Sequence, residues 1–424
     1  MPASTFSPAA AARLAAAALM ALTAGATSSA PADAALLAAA NTAQPAVIAS
    51  LRDMVLIESG STDAAGLARM AGYVEARLQA LGARTERIAP ARGPGTMVKG
   101  TFTGTGTRKL MLMAHMDTVY PTGTLAAEPY RQDGNRLYGP GIADDKGGIA
   151  VILHSLAILK DAGWRDYAQL TVLFNHDEEV GSTTSGETIA QLAEQHDHVF
   201  SAEPTGAKAV AKTEGLLLGA AGTATATMEV KGRSSHAGAA PEAGRNALIE
   251  LAYQLQQTRD IAKDIPGAQL NWTMAQAGVV SNQIPEKATA RADVRMTGPG
   301  AADRLRTALQ EKVKAGRLVA DTETTVTLVV GRPPYLADER SRALAAQAQA
   351  IYAELDGRVL TLHPMTGGAT DAGFASQSGK AIVLESFGLA GSGYHARDEY
   401  IEIDSIAPRL YLMTRLLQTV ARAP

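Results

Sequence analysis

The apolar positions of this chain change period several times, and each change marks a different element. Residues 45–57 carry Val47, Ile48, Leu51, Met54 and Val55 at helical spacing. Residues 64–81 read as a second amphipathic helix, stopped by Gly82. Runs at 85–89 and 97–102 read as strands. The Gly/Thr stretch at 103–107 lacks the spacing of a phosphate-binding loop and reads as a hairpin turn. Residues 110–119 then read Leu-Met-Leu-Met-Ala-His-Met-Asp-Thr-Val. An unbroken apolar run of this kind predicts a buried strand of a parallel sheet. Further buried strands are predicted at 170–174, 198–201 and 381–384, with a helix over 149–160.

Between 213 and 332 the pattern differs. Residues 223–230 alternate like a strand, 246–257 are helical, 273–277 and 288–296 read as strands, 302–314 as a helix and 324–330 as a strand. Strand, helix, two strands, helix, strand is the order of a ferredoxin-like sandwich. The predicted fold is therefore α/β: a mostly parallel sheet flanked by helices, plus a small inserted α+β domain. The expected division is a leader at 1–34, the first part of the main domain at 35–212, the insertion at 213–332 and the second part of the main domain at 333–424.

A chain of 424 residues is too long for one simple core, which supports two domains. Hydrophobic content of 46% with 19% charged residues fits a soluble globular protein. The net charge of -3 argues against a nucleic-acid partner. Cysteine is absent, which removes thiol catalysis, disulfides and thiolate metal ligands. The first 34 residues are rich in Ala, Ser, Thr and Pro. Arg13 precedes an apolar run at 14–22, and small-residue patterns follow at 24–26 and 32–34. This resembles a bacterial secretory signal peptide and implies export to the periplasm or beyond. No later stretch reads as a membrane helix, so no membrane insertion after processing is expected.

The candidate chemistry lies at strand ends. His115 and Asp117 are two apart at the end of a core strand, on one face of an extended chain. Open α/β sheets bind ligands at this edge. A metal-ligating His usually has its other ring nitrogen held by a carboxylate or carbonyl, which suits Asp117. Asp144 and Asp145 open the 149–160 helix, and capping accounts for one of them but not easily both. Asp177, Glu178 and Glu179 follow the 170–174 strand, where like charges demand solvent, protons or cations. Glu203 follows the 198–201 strand, and His395 follows the 381–384 strand through a Gly-rich loop. His115, Asp144, Glu179, Glu203 and His395 thus form a candidate ligand set of two imidazoles and three carboxylates. One divalent ion leaves excess acid; two, sharing a hydroxide, bring the cluster near neutral. Nitrogen and oxygen donors without sulfur suit Zn²⁺, with Mn²⁺ or Co²⁺ as alternatives. Glu178 is then left as a carboxylate beside the metals, the place for a general base.

The segments His-Met-Asp-Thr-Val (115–119), Gly-Pro-Gly-Ile-Ala-Asp-Asp-Lys-Gly-Gly (139–148), Asp-Glu-Glu (177–179), Ala-Glu-Pro (202–204), Ser-His-Ala-Gly-Ala-Ala-Pro-Glu (235–242) and Gly-Tyr-His (393–395) resemble one family. It is the co-catalytic zinc peptidases and deacylases, which include aminoacylases, succinyl-diaminopimelate desuccinylase and bacterial glutamate carboxypeptidases. The resemblance covers nearly all of the chain after the leader. It implies two Zn²⁺ per subunit bridged by Asp144, with His115 and Glu203 completing one site and Glu179 and His395 the other. It also implies Asp117 as orienting residue, Glu178 as base and a cis Asp144–Asp145 peptide. By the same resemblance the inserted domain forms a homodimer, and His236 stabilises the oxyanion in the partner's active site. Asn282, Arg295 and Gly368 match substrate-side positions. Arg332 matches the residue expected to hold the substrate's α-carboxylate, for which a guanidinium fork is suited; a salt bridge to the protein's own acids is the alternative for Arg332 and Arg295 alike. The implied substrate is a small molecule or peptide with a free C-terminal carboxylate, most directly a glutamate one.

Two departures qualify this picture. Ala369 stands where a third Gly is expected to line the pocket, and the chain matches poorly between Glu203 and Gly222. No basic residue there is placed to read a glutamate side chain; Lys212 is the candidate. The histidines at 154, 176, 196, 198 and 363 read as structural or surface. An aminoacylase or dipeptidase of the same family is the alternative substrate reading. An inactive binding protein on this fold would lack a ligand or the base, and all are present. No Gly-x-Ser-x-Gly elbow and no His-Glu-x-x-His helix point to other hydrolase classes.

Overall fold

The structure, a computed structural model, describes residues 31–422. The small-residue pattern at 24–26 and most of the expected leader lie outside the described residues.

A six-stranded sheet organises the larger unit. Its strands run in the order Arg84–Ile88, Met97–Thr103, Gln169–Asn175, Lys109–His115, His198–Ser201, Ile382–Leu384. The last four are mutually parallel; the first two are antiparallel additions at one edge. The apolar run therefore lies at the centre, and Leu110, Met111 and Leu112 are fully buried. The strand ends at His115 rather than 119. Beyond it Met116 N–H still bonds the Asn175 carbonyl at 2.8 Å, but Thr118 turns to bridge Gly60.

Helices Ala34–Val55, Lys146–Asp161 and Ile406–Arg422 pack together within the large core, to which strands and helices of the same unit contribute. The first helix starts well before residue 45. Asp33 caps it by accepting from Ala35 and Leu36 N–H, both at 3.1 Å, and Pro45 sits inside it. An Ala-rich segment with a good N-cap outweighs the proline, whose presence suggests a start rather than an interior. By length and composition this helix passes as a membrane span, contrary to the expectation for residues beyond the leader. Its Leu36, Ala40, Val47, Leu51, Met54 and Val55 are instead buried in the core. The second helix spans Ala64–Leu81, with Asp63 as N-cap and Gly82 closing it in the left-handed conformation.

Residues 222–330 form a four-stranded antiparallel sheet in the order Ala268–Ala277, Lys287–Met296, Gly222–Lys231, Glu323–Val330. Helices Ala247–Thr258 and Ala301–Ala315 cover one face, and the unit has its own apolar cluster. Numbered within the unit, the order is 2-3-1-4, as a ferredoxin-like sandwich requires. The Ala268–Ala277 strand begins earlier than its sequence pattern indicates. A bulge between Trp272 and Met274 breaks the alternation that would have revealed it.

Candidate metal centre and cleft

Three of the parallel strands deliver their carboxyl ends to one point. His115 closes the central strand, Glu178 and Glu179 form a short 3-10 turn after Asn175, and Glu203 follows Ser201. The loop before the Lys146–Asp161 helix brings in Asp144. Gly148 in that helix approaches the Ala202 carbonyl so closely that a Cβ would lie 2.1 Å from its oxygen. The helix start can thus reach the Glu203 strand end only with glycine there.

Asp144 lies between two donor sets. Its Oδ1 is 2.9 Å from His115 Nε2, which is 3.7 Å from Glu203. Its Oδ2 is 3.3 Å from His395 Nε2, which is 3.0 Å from Glu179. The Asp144–Asp145 peptide is cis. Asp145 also approaches His115 and Glu203. Its oxygens, however, already accept from His115 N–H at 3.3 Å and Gly148 N–H at 3.1 Å, so it serves as the helix cap and Asp144 as the cluster's shared carboxylate.

Asp117 faces the other nitrogen of His115, with its carbonyl at 3.0 Å and its carboxylate at 3.4 Å from Nδ1. The same carboxylate accepts from Glu178 and Glu179 N–H, both at 3.1 Å, and from the Ser61 hydroxyl at 2.7 Å. One buried acid therefore orients an imidazole and fixes the turn that carries the two glutamates.

The electrostatics match an acidic cluster arranged for cations. Burial pushes Glu203 well above the ordinary carboxylate range, His115 pulls it back, and Glu178 and Asp144 raise it further. Burial likewise raises Glu178, against the pull of Arg332. Asp144 is also penalised by burial, but hydrogen bonds from His115 and His395 hold it low. Hydrogen bonds to Asp144 and Glu179 push His395 up to about 10. Convergent oxygen and nitrogen donors, acids in excess and no lysine among them fit a divalent metal.

Glu399 is the main residue that the sequence does not disclose. Its carboxylate accepts from Gly141, Ala143 and Asp144 N–H at 2.9, 2.8 and 3.0 Å, pinning the loop that presents Asp144. Burial raises its pKa to about 7. In sequence it is one acid in a polar run, 255 residues from Asp144.

A cleft of about 750 Å³ opens beside the cluster, lined by Arg295, Arg332, Gly368, Ala369, His363 and the ligand acids, among others. Arg332 is buried and already engaged. Its Nη1 is 2.7 Å from Glu178 and 2.8 Å from the Ala369 carbonyl, Nη2 bonds the Glu178 carbonyl, and Nε is 3.7 Å from Asp371. The fork thus rests on the protein's own acids, the alternative that the sequence left open beside substrate binding. Arg295 pairs with Asp293 at 3.0 Å. Lys212 is exposed and outside the cleft lining. His363, read from the sequence as structural or surface, is half-buried and lines the cleft. His236 and Asn282 are exposed and outside the cleft of their own chain. The two lie together, since Ala237 N–H bonds the Asn282 carbonyl at 2.8 Å.

Fold and site together define a metal-dependent hydrolase of the two-unit α/β type. The chain belongs to Peptidase family M20/M25/M40, which its residues 111–419 match, and it is a metallo-exopeptidase of that family. It is 44% identical over 384 residues to carboxypeptidase G2 of Pseudomonas sp. (strain RS-16), covering 90% of this chain and 91% of that one. It is 27% identical to succinyl-diaminopimelate desuccinylase of Rhodopseudomonas palustris (strain HaA2), over 79% of this chain and 89% of that one. Among solved structures, the M20 metallo-carboxypeptidase Sso-CP2 of Sulfolobus solfataricus superposes with a TM-score of 0.68 at 15% identity, covering 89% of this chain and 99% of that one. Aminopeptidase PepT of Bacillus cereus gives 0.70 at 18% identity, with the same coverage of each.

Replacing Glu399 by Ala is expected to lower metal affinity by roughly 10–100-fold, the usual cost of losing a group that orients a ligand. Zinc titration against a competing chelator checks this. Wild-type affinity in a folded variant would contradict the role of Glu399 in presenting Asp144.

Proposed function

We propose that the protein is an exported zinc carboxypeptidase that releases a C-terminal amino acid, glutamate foremost, from folate-type or N-acyl-glutamate substrates. The observation that carries this is the Asp144 carboxylate between two donor sets, with Glu178 alongside but in neither. Likeness to carboxypeptidase G2 supports the substrate class.

His115, Glu203 and Asp144 would hold one Zn²⁺, and Asp144, Glu179 and His395 the other. Bound there, the ions would supply Lewis acidity to the scissile carbonyl and to a water. Glu178 takes the proton of the attacking water and returns it to the leaving nitrogen. Burial supports this role by raising its proton affinity above that of an ordinary carboxylate. Asp117 keeps His115 in the ligating orientation. Arg332 turns its fork from Glu178 to the substrate's α-carboxylate, with Arg295, Asn282 and Gly368 as further substrate contacts. The ion pair seen without substrate keeps that fork close to the reacting centre.

His236 and Asn282, exposed together and away from their own cleft, support a homodimer in which each serves the partner's site. The neighbouring surface has the character of an interface. The Ala268–Ala277 strand is a sheet edge, Met274 is exposed, and Val279 and Val280 follow at 94% and 54% exposure. Export is supported by the leader. Processing at 24–26 would retain Asp33, which caps the first helix and whose N–H bonds the Tyr411 hydroxyl at 2.8 Å.

Glu178→Ala is expected to reduce kcat on a folate-type substrate by about 10³-fold, or roughly 4 kcal/mol, as loss of a general base does. Zinc content should stay unchanged. Near-normal kcat would reject the base assignment. Mixing inactive Glu178→Ala and His236→Ala chains under subunit exchange should restore about a quarter of wild-type activity, because half the dimers carry one complete site. No recovery after demonstrated exchange would contradict the shared site.

A further inference from the structure

One polar side chain in the cleft serves neither the metal cluster nor the proposed chemistry. His363 ends the Leu360–His363 strand, which pairs in parallel with Glu214–Leu217. It is half-buried and lines the cleft with Leu216, Leu217, Thr366 and Gly367. Its ring nitrogens have no hydrogen-bond partner among the described residues. Gly215 makes room for the ring: a Cβ there would lie 2.5 Å from Cδ2 and 2.6 Å from Nε2. The Gly215 N–H in turn bonds Thr205 Oγ1 at 2.7 Å, two residues past Glu203. A short run of contacts therefore ties the imidazole to the metal end of the cleft.

Arg332, Arg295 and His395, which also line the cleft, are committed to acids. Arg332 rests on Glu178 and Asp371, Arg295 on Asp293, and His395 on Asp144 and Glu179. Glu214, the acid beside Gly215, turns away to the Tyr352 hydroxyl at 2.5 Å. What remains near the Glu214–Leu217 strand is leucine, glycine and threonine around one unpartnered imidazole. Among the described residues no lysine lines the cleft.

We propose that His363 is a specificity residue, hydrogen-bonding the side-chain end of the released amino acid, and that it accepts carboxyl and carboxamide ends alike. The inference rests on the carboxypeptidase reading and deepens it: the selected class is glutamate together with glutamine. A neutral imidazole both donates and accepts, so it can pair with either end, whereas a fixed ammonium would favour the carboxylate alone. An apolar side chain of similar length leaves the ring unpaired in a partly desolvated pocket and is disfavoured.

The test uses the zinc-loaded full chain and N-benzoyl derivatives of glutamate, glutamine and norleucine. Wild-type kcat/KM should be within about tenfold for glutamate and glutamine, and roughly tenfold or more above norleucine. His363→Ala should lose about tenfold on the first two, mainly through KM, and leave norleucine unchanged. His363→Lys should shift the preference about tenfold toward glutamate over glutamine. An equal loss on all three substrates in His363→Ala would show a merely structural role and overturn the proposal. So would an unchanged preference in both variants. Wild-type enzyme that releases no amino acid from any of the three would overturn the carboxypeptidase reading itself, and this inference with it.

Discussion

The site depends on one carboxylate being held between two imidazoles. Asp144 presents one oxygen to His115 and the other to His395, and Glu203 and Glu179 stand behind them. Placing such acids together is costly: two like charges 4 Å apart repel by about 4 kcal/mol at an effective dielectric of 20. The fold must therefore impose the arrangement. It does so with a buried parallel sheet whose strand ends converge, and with a loop pinned by Glu399 through three backbone N–H groups. Asp117 and Asp145 add fixed anchors on either side. Divalent metal relieves the repulsion that the scaffold maintains, so metal binding and the local order of the loop support one another.

The second unit is coupled to this centre through Arg332. It lies just past the last strand of the four-stranded sheet, and its backbone N–H bonds Thr223 Oγ1 of the first at 3.1 Å. Its guanidinium reaches the Glu178 carboxylate and carbonyl. The placement of the smaller sheet and of the proposed base are thus linked by one side chain. The cleft draws its lining from both units, which lets chemistry stay with the strand ends while selectivity varies in the walls.

Much of this was legible in the sequence because it follows from local patterns. The central apolar run, the Asp63 and Gly82 helix ends and the strand–helix order of 222–330 each reflect periodicity or capping. The convergence of His115, Asp144, Glu179, Glu203 and His395 was legible because each lies at or just past a strand end or before a helix, where sheet topology brings them together. What escaped has a common cause: it depends on long-range packing with no local signature. Glu399 looks like any surface acid until it meets the Asp144 loop. His363 reads as an isolated histidine until strand pairing sets it over Gly215. For Arg332 the sequence allows an ion pair but does not name Glu178 and Asp371 as its partners. The early start of the first helix escaped because Pro45 resembles a first-turn proline.

The most direct test of the account is anomalous diffraction at the zinc edge from crystals of the zinc-loaded protein. The account predicts two separate peaks, one on the His115–Glu203 side of Asp144 and one on its Glu179–His395 side, with Asp144 touching both. A single peak, or two peaks with Asp144 turned away from either, would contradict the shared carboxylate on which the rest of the reading stands.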